Sequence, residues 1–153
     1  MNVVVRKAEK SDFFAVRNIM NQVQELHVEW RPDIYKSNDD LISQELFGLM
    51  LDSGNLYVAD VDGKVSGVLG VAYKHFESPA HITRNVIFID SMAVESDFRG
   101  KGIGHLFFEK VKELKAVSGA DAIELQVNAK NYAAFEMYKK YGFTEKSINM
   151  ELL

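Results

Sequence analysis

The chain has 153 residues, enough for one domain with a substantial core, and its 47% hydrophobic and 26% charged residues suit a globular protein. Its formal net charge of -4 excludes a global basic field for nucleic acid, and no apolar stretch approaches the roughly 20 residues needed to cross a bilayer. The absence of cysteine excludes disulfides, cysteine-based zinc sites and a thiol nucleophile, and residues 1–10 lack a signal-peptide core, so a cytoplasmic compartment is expected.

Val3-Val4-Val5 predicts a first strand, as a short β-branched run. Ser11 or Asp12 caps a helix carrying Phe13, Val16, Met20, Val23, His27 and Trp30 at helical spacing, which Arg31-Pro32-Asp33 ends. A second helix is expected from Asp39 or Asp40 through Leu41, Glu45, Leu46 and Leu49 to Ser53-Gly54. Leu56–Asp60 and Val65–Tyr73 read as strands joined across the turn dipeptide Asp62-Gly63. A polar loop around Ser78-Pro79 precedes Val86–Val94, a run apolar on both alternating faces and so predicted to be a central strand. Glu95–Gly102 is a loop, and Ile103, Phe107, Val111 and Leu114 mark a third helix. Ala122–Val127 predicts a strand, Asn131–Tyr141 a helix and Thr144–Leu152 a final strand. The result is a mixed α/β order, with a central mixed sheet flanked by helices.

After the acidic-polar loop that follows the central strand, Arg99-Gly100-Lys101-Gly102-Ile103-Gly104 opens the third helix. The first turn of a helix has amides without internal partners and a dipole that favours an anion. Glycines remove the Cβ atoms that would hold a phosphate away from those amides, and Arg99 and Lys101 add positive charge. A merely flexible loop is the plainer reading, yet glycine within a helix costs roughly 1 kcal/mol, which calls for a reason. Lys110, Lys112, Lys115, Lys139 and Lys140 read instead as solvated helix faces.

The loop fits some phosphate ligands poorly. A Walker loop needs Gly-Lys-Ser or Gly-Lys-Thr, and Gly102 is followed by Ile103. A dinucleotide fingerprint starting at Gly102 needs glycine where Phe107 stands, although Glu124 falls near the ribose-binding distance. Only one further strand-helix-strand unit follows, too little for a doubly wound domain, so an ATP- or NAD-binding domain is the lesser alternative.

Arg99, Gly102 and Gly104 spell Arg-x-x-Gly-x-Gly, and Asn131, Ala134, Tyr138, Gly142 and Phe143 follow in a second cluster within Leu125–Phe143. In both motifs, and in its order of elements, the chain resembles the GNAT family of N-acetyltransferases over nearly its whole length. The resemblance implies the acyl-CoA N-acyltransferase fold in a single domain over residues 1–153. It also implies acetyl-CoA as co-substrate, no metal, and a primary amine as acceptor: a small amine, an amino acid, or a peptide or protein amine. By the same resemblance, backbone groups of Met92, Ala93 and Val94 hold the pantetheine arm. Amides from Arg99, Gly100, Lys101, Gly102, Ile103 and Gly104 hold the pyrophosphate, Asn128 and Asn131 contact the pantetheine or its surroundings, and Tyr138 faces the cofactor sulfur. Asn131 also suits a helix N-cap, and Tyr138 a core aromatic.

The implied reaction is attack of the amine on a thioester. An amine with pKa about 10.4 is neutral only about one part in a thousand near pH 7.4, so deprotonation costs roughly 4 kcal/mol and a base is expected. Asp90 is the candidate, the one charged residue in an otherwise apolar strand; the alternative is a structural carboxylate bonded to backbone or Arg84. Glu29, His75, Glu77 and His81 are reserves. For Tyr138, full proton transfer from a phenol near 10 to a thiolate near 8.5 runs uphill by roughly 2 kcal/mol, so a hydrogen bond to the developing sulfur charge suits it better. Without cysteine, direct transfer in a ternary complex is favoured over an acyl-enzyme. His27–Tyr35 borders the expected acceptor pocket, with Glu29 and Tyr35 as acceptor-binding candidates and His27 and Trp30 in the helix's apolar stripe. An acyl-CoA sensor without turnover is the main alternative. No nucleic acid or membrane is expected as a partner, and a homodimer is compatible with the sequence.

Overall fold

The computed structural model describes residues 1–153. Strands β1 (Val3–Lys7), β2 (Leu56–Val61), β3 (Lys64–Ser78), β4 (His81–Val94) and β5 (Ala122–Leu125) form one sheet in the order β1-β2-β3-β4-β5. Neighbours are antiparallel up to β4, and β4 and β5 are parallel. Helices α1 (Phe13–Trp30) and α2 (Gln44–Ser53) connect β1 to β2, α3 (Ile103–Ser118) crosses from β4 to β5, and α4 (Tyr132–Lys140) follows β5.

Two apolar cores sandwich the sheet. On one face Ile103, Phe107, Phe108 and Val111 of α3 pack on Tyr57, Ala59, Leu69, Val71, Ile87 and Ile89. On the other, Phe13, Val16 and Ile19 of α1 and Phe47 of α2 pack on Leu56, Val58, Val68 and Ala93. A β-bulge in β4 governs which residue faces which core. Gly70 pairs with Ser91 but Val71 with Ile89, which leaves Asp90 as the extra residue. The insertion shifts the alternation by one, so Met92 and Val94 join Ile87 and Ile89 on the α3 face.

Local chemistry explains the boundaries. Asp62 and Gly63 both have positive φ (51° and 90°), the conformation that suits a two-residue hairpin. The start of α2 lies at Ser43, whose Oγ accepts from the Leu46 N–H at 3.0 Å, rather than at Asp39 or Asp40. Asp39 instead lends its carbonyl to Asn21 Nδ2, and the Asp40 N–H donates to Asn38 Oδ1. The β3–β4 ladder runs beyond the predicted strand ends, with Lys74 opposite Val86, His75 opposite Asn85 and Phe76 opposite Arg84. These outer residues are mostly exposed, so backbone pairing holds them and no apolar alternation announces them.

The predicted strand Thr144–Leu152 is absent. Its alternation is real, but no backbone hydrogen bond joins these residues to the sheet, and alternation without a ladder partner does not make a strand. No helix is long and apolar enough to cross a membrane.

Candidate functional site

The parallel pair β4–β5 carries the opening. Pairing runs from Val86 opposite Ala122 to Ile89 opposite Leu125, where β5 stops, while β4 continues to Val94. Residues 90–94 of β4 therefore have β3 on one side and a gap on the other. The Glu95 N–H donates to Ser66 O at 2.8 Å, and antiparallel alternation then turns the main chain of Ala93 toward β3 and that of Met92 and Val94 toward the gap. Arg99 Nε donates to Val94 O at 3.1 Å, which ties the loop to the end of the strand.

The glycine loop closes one end of this gap. Gly100 and Gly102 hold φ of +74° and +87°, a conformation that L side chains rarely adopt, and a Cβ at either would meet nothing within 4 Å. Gly102 is the N-cap of α3 and supplies no side-chain cap. The amides from Gly100 through His105 consequently make no hydrogen bond within the protein. Unpartnered amides, the positive end of a helix 16 residues long and an uncrowded approach are features that suit an anion. The Lys101 ammonium lies 5.1 Å from the Phe98 ring centre.

Helix α4 stands beside the loop, where Met137 Sδ would lie 3.7 Å from a Cβ on Gly104. Tyr138, one residue on, is half-buried, with its ring edge-on to Phe108 at 5.8 Å and tilted against Phe143 at 5.9 Å. Desolvation raises its phenol above the ordinary tyrosine value, and its hydroxyl has no hydrogen-bond partner in the protein. Asn131 caps α4, its Oδ1 accepting from the Ala134 N–H at 3.2 Å, and Asn128 Oδ1 accepts from the Lys130 N–H at 2.9 Å. Each amide thus keeps its NH2 available while its oxygen shapes the turn after β5.

Asp90 sits at the bulge and is solvent-accessible, not enclosed as the apolar character of its strand predicts. The bulge turns the side chain out. Desolvation by the surrounding protein nonetheless raises its pKa above the ordinary carboxylate value, opposed by the Ser91 hydroxyl and the Lys74 charge. Arg84 is not its partner, since Arg84 pairs with Glu124 at 3.4 Å. Sequence reasoning missed Gly70, which leaves the Asp90 carboxylate its space on the neighbouring strand: a Cβ there would lie 2.6 Å from Asp90 Oδ1. Its only sequence signal is a glycine inside an apolar strand.

The reserve bases lie elsewhere. His75 binds Asn85 Oδ1 at 2.8 Å and Glu77 at 3.1 Å, and His81 binds Ser78 at the hairpin turn. Asn85 is five residues along β4 from Asp90, about 17 Å at strand spacing. The end of α1 instead approaches the turn after β5, where Lys130 Nζ donates to Trp30 O at 2.9 Å. There His27 and Trp30 are half-buried, Tyr35 stacks on His27 with centroids 4.9 Å apart, and Glu29 is exposed. Arg31 is engaged by both Asp33 and Glu151.

The sequence model of the acetyltransferase (GNAT) family matches residues 20–143. The chain belongs to that family. GNAT relatives include an uncharacterized N-acetyltransferase of Methanocaldococcus jannaschii, 33% identical over 97 residues, which are 63% of this chain and 42% of that protein. Thialysine N-epsilon-acetyltransferase of Bos taurus is 27% identical over 92% of this chain and 83% of its own length. Several of the curated relatives are longer, so that the chain spans less than two thirds of them. A crystallised tetramutant protein from Bacillus halodurans superposes with a TM-score of 0.88 at 28% identity, covering 98% of this chain and 99% of that one. The GNAT fold accounts for the sheet with one parallel pair, and it displaces the nucleotide-domain alternative. Glu124, the residue at the ribose-binding distance, is held by Arg84 and by Lys146.

Proposed function

We propose that this chain is one acetyltransferase domain over residues 1–153 that moves the acetyl group of acetyl-CoA to a primary amine by direct attack in a ternary complex. The observation that carries the proposal is the row of unpartnered amides from Gly100 through His105 beside the open edge of β4. A diphosphate fits there because both positive-φ glycines face open space. In this reading Lys101, Ile103 and Gly104 complete the diphosphate cradle; Arg99, expected to lend its amide, instead donates it to Ser96 O at 3.4 Å and anchors the loop; Met92 and Val94 offer main-chain groups to the pantetheine arm, and Asn128 and Asn131 offer their free NH2 groups.

Acetyl-CoA supplies the activated thioester. The protein's part is to orient the amine and manage its protons. Asp90, with its pKa raised, accepts the proton whose removal costs roughly 4 kcal/mol near neutral pH. Tyr138 acts as a hydrogen-bond donor to the charge that develops on sulfur. Burial lifts its pKa further above that of a thiol, so complete proton donation is less favourable than a fixed hydrogen bond. Glu29 and Tyr35, on the segment that meets the turn after β5, border the acceptor.

Thermal-shift titration with CoA, ATP and NAD tests the loop assignment, with stabilisation by CoA alone expected. Acetyl transfer across a panel of small amines, amino acids and peptides tests the reaction. CoA binding with no transfer to any amine identifies an acyl-CoA sensor instead.

A further inference from the structure

Beside the proposed base, β3 and β4 hold a cation and an anion apart. Leu69 and Val71 face α3 while Val68 faces α1, so alternation along β3 turns Gly70, Ala72 and Lys74 to the α1 face. Asp90 lies on that face too, since its Oδ1 occupies the space of a Gly70 side chain. Lys74 stands opposite Val86 and leans along the sheet toward Asp90, its Nζ 3.9 Å from the centre of the Phe88 ring. Phe88 is opposite Ala72, and the next pair on the same face is Gly70 with Ser91. Ammonium and carboxylate are thus about 7 Å apart at strand spacing. The β3 floor between them carries only the methyl of Ala72 and no side chain at Gly70. Lys74 and Asp90 form no ion pair with each other or with any other residue. Glu124, the carboxylate residue opposite Phe88 on β5, is held by Arg84 and Lys146.

A lysine ammonium over an aromatic face is held there by the ring and keeps its charge. Two opposite charges on one face, unpaired and separated by a floor of small residues, match a ligand that carries both signs a short distance apart. We infer that the acceptor is a free amino acid, its amine presented to Asp90 and its carboxylate bound by the Lys74 ammonium over Phe88. The inference rests on the acetyl-transfer reading, which it narrows from primary amines in general to amines with a neighbouring carboxylate. An α-amino acid has about 2.5 Å between its nitrogen and its carboxylate carbon. With a charge-assisted hydrogen bond of about 2.8 Å at each end, it bridges a gap of this size. A diamine would instead bring a second cation to Lys74, and a lysine side chain of a protein has no carboxylate within that reach. Lys74 in this arrangement binds and selects the acceptor, and the proton stays with Asp90.

The test offers the common amino acids, the primary amide of each, and 1,4-diaminobutane as acceptors with acetyl-CoA. The preferred acid should exceed its own amide in kcat/KM about ten- to hundredfold, the range of one hydrogen bond between charged groups. Lys74→Met should raise KM for the acid by a similar factor and bring acid and amide level, and Lys74→Arg should restore most of the preference. Lys74 is exposed, so neither change disturbs the core, and CoA affinity should stay within twofold of wild type. Calorimetry with the same acids and amides, on the chain with and without CoA, reads the site independently of turnover. Amides or diaminobutane turned over as well as the acids, or an acid preference that survives Lys74→Met, would overturn the inference and leave the acetyl-transfer reading standing. Acid binding that requires Lys74, with no transfer to any amine, would support the amino-acid site and remove acetyl transfer. Acids that neither bind nor react would overturn the inference outright.

Discussion

The carboxylate of Asp90 fills the space that a side chain on Gly70 would take, with Oδ1 2.6 Å from the position of a Cβ. Bulge and glycine belong together: β4 gains a residue opposite Gly70 and Val71, and the neighbouring strand lacks the atom that residue would strike. The atom in the way is the end of a side chain, so Gly70→Ala should rotate Asp90 and leave the fold intact. Turnover is expected to fall at least about tenfold, as for other small misplacements of a base, with CoA affinity within twofold. Asp90→Asn should lower it about a hundredfold or more and abolish the acidic limb of the pH–rate profile. In wild type that limb lies above the ordinary carboxylate range, because the pKa is raised and only the charged form accepts a proton. An Asp90→Asn enzyme with the wild-type rate and profile removes Asp90 as the base.

Tyr138→Phe keeps the ring among Phe108 and Phe143 and deletes the unpartnered hydroxyl. Turnover should fall at least about tenfold while CoA affinity barely changes, because the lost interaction is with charge that develops during reaction. Steady-state kinetics beside a CoA titration separate the two quantities.

Gly102→Val should abolish CoA binding. At φ +87° a β-branched residue costs at least about 1–2 kcal/mol of backbone strain, and its methyl groups would stand in the open approach to the amides. Calorimetry with CoA on a variant shown by circular dichroism to be folded checks this; normal affinity refutes the loop assignment.

Asp12 makes a prediction about stability. Only 5% exposed, it accepts from Arg6 Nη1 and Nη2 at 2.8 and 3.0 Å and from the Glu9 N–H at 2.7 Å. Burial pushes its pKa up, but the bonds from Arg6 and Glu9 outweigh burial and leave it lowered. A lowered pKa contributes stability above the unfolded value of about 3.9, and that contribution is lost as pH falls through the folded pKa. Asp12→Asn should therefore unfold about 3 kcal/mol more easily in urea at pH 7, and the gap should narrow below pH about 4.

The helices, the strands other than Thr144–Leu152, the two-sided burial of β4 and the glycine-rich helix start were legible because each rests on local chemistry. The continuous apolar run within Val86–Val94, glycines at 100 and 102 and the asparagine cap at 131 state their own conformations. The outer β3–β4 ladder and the start of α2 were not, since exposed backbone pairing leaves no apolar pattern and several residues before α2 are equally good caps.

By itself the sequence determined a mixed sheet with helices, a glycine-rich helix start after a buried strand, and a chain without thiol chemistry. These follow from side-chain period, backbone freedom and composition, all readable one segment at a time. Only the tertiary structure decided that Asp90 stands out at a bulge opposite Gly70, that β4 outruns β5 to leave a gap, and that residues 144–153 find no strand beside them. Each of these is a relation between segments distant in the chain, where register and pairing are set by packing of the whole sheet and by no residue alone.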